Sequence, residues 1–143
     1  MSRPIAFVFC LIAAAAPLAS AAQERAPEER QRLLDLAYAL GESHALRQVC
    51  QGDTDQYWRS RMVRLTEVEQ ADQAFDVQLR ERFNTGFASR RSEYPLCDEA
   101  SRKAEQEAAR RGQALSLKLS QSMRATAKPP VAPDSVADGE GAR

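Results

Sequence analysis

ADQAFDVQLRERFNTGFASRRSEY, residues 71–94, carries the strongest periodic signal in the chain. Its large apolar side chains recur every four residues, at Phe75, Leu79, Phe83 and Phe87. A period close to 3.6 residues is typical of a helix that turns one stripe toward a core. Pro95 follows directly, and the residue before a proline avoids helical backbone angles. This stretch therefore predicts one long amphipathic helix that ends at Tyr94.

Helix formers dominate on both sides of this stretch. Residues 28–94 and 96–128 contain no proline, and from residue 23 onward the chain has no isoleucine and six valines. Strands favour β-branched residues, whereas Ala, Leu, Glu, Gln and Arg favour helices. The composition therefore predicts an all-α fold, and the apolar periods predict a small bundle of four helices. Their expected spans are 27–49, 53–69, 71–94 and 98–124.

Residue types at the expected helix ends support these spans. Pro27 suits the first turn of the first helix, and Gly52 is a typical stop for it. Asp53 or Thr54 can cap the second helix, and Asp98 can cap the fourth. Gly41 lies inside the first helix, where glycine costs about 1 kcal/mol relative to alanine. Its presence there predicts a close approach of another helix backbone.

Residues 1–22 have the pattern of a secretory signal peptide. Arg3 supplies the positive start, residues 5–16 are uncharged and mostly apolar, and Ala19-Ser20-Ala21 is a typical cleavage pattern. The apolar run is too short to cross a bilayer, which takes about 20 residues. We therefore expect a periplasmic mature protein that has no integral membrane segment after its leader is cleaved.

The domain organisation follows from the leader and from the composition of the C-terminal part. We expect the helical domain to occupy residues 23–124. Residues 125–143 are rich in proline, glycine and polar side chains, which cannot bury much surface. This composition predicts a disordered tail.

Two cysteines, Cys50 and Cys97, remain once the leader with Cys10 is removed. An even number of cysteines in an oxidising compartment predicts a disulfide, and their long spacing is unlike a redox-active C-x-x-C pair. A metal site or two free thiols are the alternatives, but a metal needs more ligands and His44 is the only histidine. The bridge would join the first and fourth helices, which we expect to be the outer elements of the bundle.

Neither the charge of the chain nor its sequence motifs indicate a catalytic, cofactor-binding or nucleic-acid-binding function. Lysine plus arginine and aspartate plus glutamate each total 20, which offers nothing for binding nucleic acid. The chain has no C-x-x-C-H haem motif, no glycine-rich phosphate loop and no H-E-x-x-H. We therefore expect no enzyme and no cofactor. The alternatives are an envelope enzyme or a haem or metal carrier centred on His44, with Met62 as a second haem ligand, and a holdase-type chaperone.

Three spaced groups of residues form a combined pattern. They are Gly41-x-x-His44-x-Leu46-Arg47-x-x-Cys50, Trp58-Arg59-x-x-Met62, and Phe83-Asn84-x-Gly86-Phe87 followed by Tyr94 and Cys97. The pattern resembles an uncharacterised family of short exported alphaproteobacterial proteins of unknown function. The resemblance implies an envelope location and a role for both cysteines, and it implies no activity. Pro95 and the proline-rich tail depart from the family pattern.

His44, Asn84 and Trp58 are the candidate site residues. Asn84 lies off the apolar stripe of its helix, has poor helix propensity, and has Gly86 beside it. We interpret it as part of a buried polar clasp with His44 or with a carbonyl group of the first helix. The alternative is a recognition site for a partner. The leading hypothesis is a non-enzymatic interaction or structural protein of the cell envelope, whose partner is an unknown envelope protein.

Overall fold

A computed structural model of the chain describes residues 25–127. Within this range the chain forms four α-helices and no strand. They are α1 (Pro27–Gln51), α2 (Tyr57–Glu69), α3 (Gln73–Glu93) and α4 (Glu99–Ala127). The predicted all-α, four-helix class is therefore confirmed. The expected leader and residues 128–143 of the expected tail lie outside the described residues, and α4 continues three residues beyond its expected end.

Side chains at the helix starts explain two of the boundaries. The Asp72 carboxylate accepts a hydrogen bond of 2.9 Å from the backbone N–H of Phe75 at the start of α3. At the start of α4, the Ser101 N–H donates to Asp98 Oδ1 and the Asp98 N–H donates to Ser101 Oγ. This reciprocal pair satisfies two backbone donors that a helix start otherwise leaves open. The predicted cap at Asp98 is confirmed.

The start of α2 differs from the prediction. Asp53 and Thr54 form a turn after Gly52, whose φ angle is +96°, and neither of them caps the helix. Asp55 accepts a hydrogen bond of 3.0 Å from the backbone N–H of Tyr57 instead. The helix therefore begins at Tyr57. The N-cap position is Gln56, which makes no side-chain cap hydrogen bond, so neither Asp53 nor Thr54 has the predicted role.

Helix α1 is the central element of the fold. It packs against α2, α3 and α4, whereas no Cα atoms of α3 and α4 approach within 8 Å of each other in residues 25–127. Residues 39–46 of α1 are all buried, so this part of the helix has no solvent-exposed face. The expectation that the first helix is an outer element is therefore wrong, because helices cover α1 on more than one side.

Two apolar clusters form the core. The larger cluster lines α1 and α3 and includes single residues of α2 and α4; its buried members are Leu33, Leu36, Ala37, Leu40, Met62, Phe75, Leu79, Phe83 and Leu119. The smaller cluster joins α1 to α4 through Leu46, Ala104 and Ala108. Phe75, Leu79 and Phe83 are all buried, as their four-residue period predicts. Met62 is the only fully buried residue of α2, so α2 contributes little to the core.

The crossing of α1 and α3 depends on two glycines. A Cβ atom on Gly41 would lie 2.8 Å from the carbonyl carbon of Phe83, and closer still to its oxygen. A Cβ atom on Gly86 would lie 3.1 Å from the carbonyl carbon of Tyr38, again with the oxygen closer. The two backbones therefore touch at this crossing. The close approach predicted at Gly41 is confirmed, and Gly86 is its counterpart on α3.

The two cysteines form a disulfide. The Sγ atoms of Cys50 and Cys97 are 2.08 Å apart, across 47 positions of sequence. The bond joins the last turn of α1 to the short segment that precedes α4. The predicted pairing is confirmed, and the element that it anchors is the central helix.

Candidate functional site

The second half of α1 holds most of the buried polar side chains of the fold. Glu42, Ser43, His44 and Gln48 are each less than a tenth exposed and follow one another within two turns. A buried polar group costs free energy unless it is hydrogen-bonded, so each of these side chains needs a partner. Arginines of α3 and α4 bond Glu42, Gln48 donates to the turn before α2, and Ser43 Oγ donates to the Ala39 carbonyl oxygen within α1. His44 Nδ1 has no hydrogen-bond partner in the described chain. This part of α1 is therefore the candidate site.

Glu42 forms a buried ion-pair network between three helices. Its side chain is 4% exposed; Oε1 accepts from Arg90 Nε of α3 at 2.8 Å, and Oε2 accepts from Arg111 Nη2 of α4 at 2.6 Å. Burial disfavours the charge of Arg90, but the nearby carboxylates of Glu42 and Glu93 outweigh it and raise the pKa of Arg90. Each oxygen of the Glu42 carboxylate binds an arginine of a different helix, so this one residue links α1 to both α3 and α4.

This network was missed by sequence reasoning. Glu42 follows Gly41 in the part of α1 that is buried on all sides, residues 39–46, so no apolar period marks it as an inward residue. Its two arginine partners are 48 and 69 positions away, among many other charged residues. The one indication of a buried carboxylate in the sequence was the position of Glu42 between two small residues, Gly41 and Ser43. Pairing it with particular arginines requires the helix arrangement.

His44 is packed between two phenylalanines of α3. It is 3% exposed, and its ring centroid lies 5.7 Å from that of Phe83 and 5.4 Å from that of Phe87. Its Nδ1 atom is buried without a hydrogen-bond partner in the described chain. Burial lowers the pKa of His44, and the charge of Arg59 adds to this, while Asp55 opposes it. The neutral imidazole is therefore the form that the fold accommodates.

We expect the stability of the protein to fall as the pH drops below about 6.5. Because the pKa of His44 is lower in the folded state than its ordinary value of 6.5, the unfolded chain binds the proton first. The unfolding free energy is then constant above that pH and falls between 6.5 and the folded pKa, by about 1.4 kcal/mol for each unit of difference. Urea unfolding at a series of pH values from neutral to mildly acidic measures this.

The matched control for this prediction is His44→Gln. His44 is the only histidine, and histidine is the side chain whose ordinary pKa lies in this window. The variant is expected to show a flat profile whatever its absolute stability. A sloping profile in the variant, or a flat one in the unmodified protein, contradicts the assignment to His44.

Asn84 and Trp58 do not join His44 in a polar clasp. Asn84 is exposed on α3, so the interpretation of a buried clasp is wrong. The space beside Gly86 is filled by the backbone of α1 at Tyr38. The side of α3 that carries Asn84 stays open because α3 packs on α1 and not on α4. The alternative role of Asn84 in partner recognition remains a prediction.

Trp58 lies at the edge of the larger apolar cluster. It is partly buried and packs against that cluster, and its indole Nε1 is buried without a hydrogen-bond partner in the described part of the chain. Its ring meets the ring of Tyr57 edge-on, with 5.0 Å between centroids. Met62 is buried in the same cluster, as expected for a core residue. These contacts show that Trp58 and Met62 pack α2 against the larger apolar cluster.

The turn between α1 and α2 fixes where α2 begins. Gln48 Nε2 donates to the carbonyl oxygens of Asp53 and Asp55, at 2.7 and 3.1 Å. Arg47 Nε donates to both carboxylate oxygens of Asp55, at 3.1 and 3.0 Å. The backbone N–H of Tyr57, and then Arg47, lower the pKa of Asp55. The start of α2 is therefore tied to the buried end of α1.

An open cavity of about 570 Å³ lies where α1 begins beside α3. Arg25, Arg30, Leu34 and Phe75 are among its lining residues, and the Arg30 guanidinium sits 4.1 Å from the centroid of the Phe75 ring. Both arginines also have carboxylate partners, since Arg25 pairs with Glu69 and Arg30 with Asp72. The two arginines at this cavity are therefore already paired with carboxylates of the protein.

Two features are absent from residues 25–127. No group of three or more histidine, cysteine, aspartate or glutamate side chains in this range could hold a metal ion. None of the helices in it is long and apolar enough to cross a bilayer.

Comparison with known proteins identifies a family. No curated protein and no solved structure is detectably similar to the chain. The family described as "Protein of unknown function (DUF2385)" matches residues 28–123, which include nearly all of the four helices and both cysteines. The resemblance to an uncharacterised family is thereby confirmed. The chain belongs to this family of proteins of unknown function.

Proposed function

We propose that the protein is an exported, non-enzymatic helical protein of the periplasm that binds another protein of the cell envelope. The observation that carries the proposal is the Cys50–Cys97 disulfide. Structural disulfides form and persist in oxidising compartments and are rare in the cytosol. The leader pattern of residues 1–22 supports the same location.

The buried polar residues support a structural role for the interior. Both oxygens of Glu42 are held by arginines, and His44 is enclosed by two phenylalanine rings. A general acid or base has to come within hydrogen-bond reach of a substrate. Both side chains instead join helices together, which favours a rigid scaffold whose function lies on its surface.

Helix α2 supports a binding role for that surface. Among its 13 residues, only Met62 is fully buried. Its two ends are fixed, the first by the Arg47–Asp55 pair and the last by the pair between Glu69 and Arg25. Val63 and Val68 of the helix are exposed, the latter by 63%. Since the helix is anchored but only lightly covered, it presents a firm surface to a partner.

Export and disulfide formation are tested together on protein made from the whole coding sequence. The mature protein is expected in the periplasmic fraction with the mass of a chain that starts at Ala22 or Gln23. Its two thiols should react with a thiol probe under denaturing conditions only after reduction. A full-length chain in the cytosolic fraction, or thiols that react without reduction, contradicts the proposal.

Binding is tested by photo-crosslinking in intact cells. A photoreactive residue replaces either Val68 on α2 or Leu117 on α4, which is 53% exposed. One discrete adduct with an envelope protein, recovered from at least one of the two positions, is the expected result. The absence of an adduct at both positions, in protein that is folded and exported, contradicts a binding role.

A further inference from the structure

We propose that α2 carries a binding surface for an acidic segment of a partner protein. The α2 surface consists of Tyr57, Arg61, Arg64 and Val68. These positions are separated by four, three and four residues, so they share one face of the helix. This inference rests on the proposed function and names the chemistry of the partner.

The arginines of α2 differ from those of the neighbouring helices in their lack of carboxylate partners. Every arginine of α1 and α3 lies within 4.0 Å of a carboxylate, namely Arg30, Arg32, Arg47, Arg80, Arg82, Arg90 and Arg91. Arg59, Arg61 and Arg64 of α2 are exposed, and none of them has such a partner within residues 25–127. The positive charge of α2 is therefore available to an external anion.

The nearest acidic residues do not neutralise this charge. Asp53 and Asp55 precede α2, but they are bound by Arg91 and Arg47 respectively. Within α2 the first acidic residue is Glu67, one turn beyond Arg64. The surface of α4 also has unpaired cations, but acidic residues flank the first of them at Glu99, Glu105 and Glu107, and the later ones, Arg110, Lys118 and Arg124, lie six or more positions apart. The first three turns of α2 thus carry an unmixed positive charge.

Tyr57 holds Arg61 in a defined position. The Arg61 guanidinium carbon lies 3.6 Å from the centroid of the Tyr57 ring, and Nη1 donates to the Tyr57 carbonyl oxygen at 3.1 Å. A guanidinium stacked on an aromatic ring leaves its edge accessible, so the N–H groups of Arg61 that do not donate to Tyr57 can bind a carboxylate. Because the side chain is already ordered, less conformational entropy is lost when an anion binds.

The orientation of α2 favours a protein segment over a lipid surface. A helix that binds a membrane inserts its apolar face among the lipids. The apolar face of α2, with Trp58, Met62 and Leu65, packs on the core instead. Residues 57–68 extend over roughly 17 Å at 1.5 Å per residue, which matches about five residues of an extended peptide. An acidic peptide segment therefore fits the length and the charge of the surface.

The test uses the oxidised mature protein and a fluorescein-labelled peptide, Gly-Glu-Glu-Gly-Glu-Glu. Fluorescence anisotropy at low ionic strength measures the dissociation constant. The Arg61→Gln/Arg64→Gln variant is expected to bind about tenfold more weakly, since it loses two charge-assisted contacts. The Tyr57→Leu variant should bind roughly threefold more weakly, because the stacked position of Arg61 is lost. Trp58 is the only tryptophan and lies 5.4 Å from the Arg61 guanidinium carbon, so its emission should change on binding.

The matched control is the Arg102→Gln/Arg110→Gln variant, which removes the same charge from exposed positions of α4. It is expected to bind the peptide within about twofold of the unmodified protein, since it leaves the α2 contacts intact. Equal losses in the two double variants overturn the proposal, because they indicate a general charge effect. A peptide with glutamine in place of glutamate that binds equally well also overturns it.

Two further outcomes separate this inference from the proposed function. Vesicles of phosphatidylglycerol and phosphatidylcholine that bind through Arg61 and Arg64, without any peptide binding, overturn the inference in favour of a lipid surface. An adduct from the crosslinker at Leu117 that persists in the Arg61→Gln/Arg64→Gln variant overturns the inference and leaves the proposed function standing. An adduct from position 68 that is lost in this variant supports both.

Discussion

The Gly41→Ala substitution is expected to lower the free energy of unfolding by about 3 kcal/mol or more. The added methyl group would overlap the carbonyl group of Phe83 and lie 3.0 Å from the backbone nitrogen of Phe87. Backbone atoms cannot rotate away as a flexible side chain can, so α1 and α3 have to separate. That separation loosens the larger apolar cluster, which these two helices build together. Urea unfolding followed by far-UV circular dichroism measures the loss.

Gly112→Ala is the matched control for this prediction. A Cβ atom on Gly112 would meet only the side chains of Ala39 and Leu36, both at 3.8 Å. This is an ordinary van der Waals distance, so the variant gains the helix propensity of alanine without a clash. It is expected to be more stable than the unmodified protein by about 0.5–1 kcal/mol. Similar unfolding free energies for the two variants contradict a backbone contact at Gly41. A Gly41→Ala variant that fails to fold supports it when Gly112→Ala folds.

The Cys50→Ser/Cys97→Ser variant is expected to lose roughly 4 kcal/mol of stability. In the chain-entropy model, a crosslink across 47 positions restricts the unfolded chain by about that amount. A domain of this size has about 5–15 kcal/mol in total, so the loss is a large part of it. The fold depends on the disulfide because its apolar core is small. Helix α2 adds only one buried residue, Met62, to that core. Thermal unfolding of the oxidised protein and of the variant measures the difference.

Reduction of the unmodified protein provides the control for the disulfide. The reduced protein and the double serine variant are expected to unfold at similar denaturant concentrations, because both lack only the crosslink. A difference of less than about 1 kcal/mol between the oxidised and reduced proteins contradicts a stabilising role. If the reduced protein is much more stable than the variant, the serines themselves are disruptive, and reduction alone then measures the contribution of the bond.

The helix-forming segments were predictable because they depend on local properties. The period of Phe75, Leu79 and Phe83, the stop at Pro95 and the cap at Asp98 each act within a few residues. The disulfide was predictable because two cysteines allow a single pairing. The start of α2 was not, since it depends on the ion pair between Arg47 and Asp55, which a local pattern does not show.

The candidate site was less predictable than the fold. His44 was expected in a buried polar clasp and is buried, but its supposed partner Asn84 is exposed. The Glu42 network and the unpaired arginines of α2 were both missed. A charged residue in a helix looks the same whether its partner lies on a distant helix or is absent. Paired and unpaired arginines can be distinguished only when the carboxylates around each of them are known.

Local pattern alone was enough for the number of helices, their approximate ends, the covalent bridge and the close approach at Gly41. The placement of α1 at the centre, the burial of Glu42 between two arginines, the exposure of Asn84 and the open surface of α2 emerged only from the packing. A periodic pattern of apolar residues indicates that a helix has one face to bury. Which neighbour covers that face, and which polar side chains are then enclosed or left to solvent, depends on contacts between residues far apart in the chain.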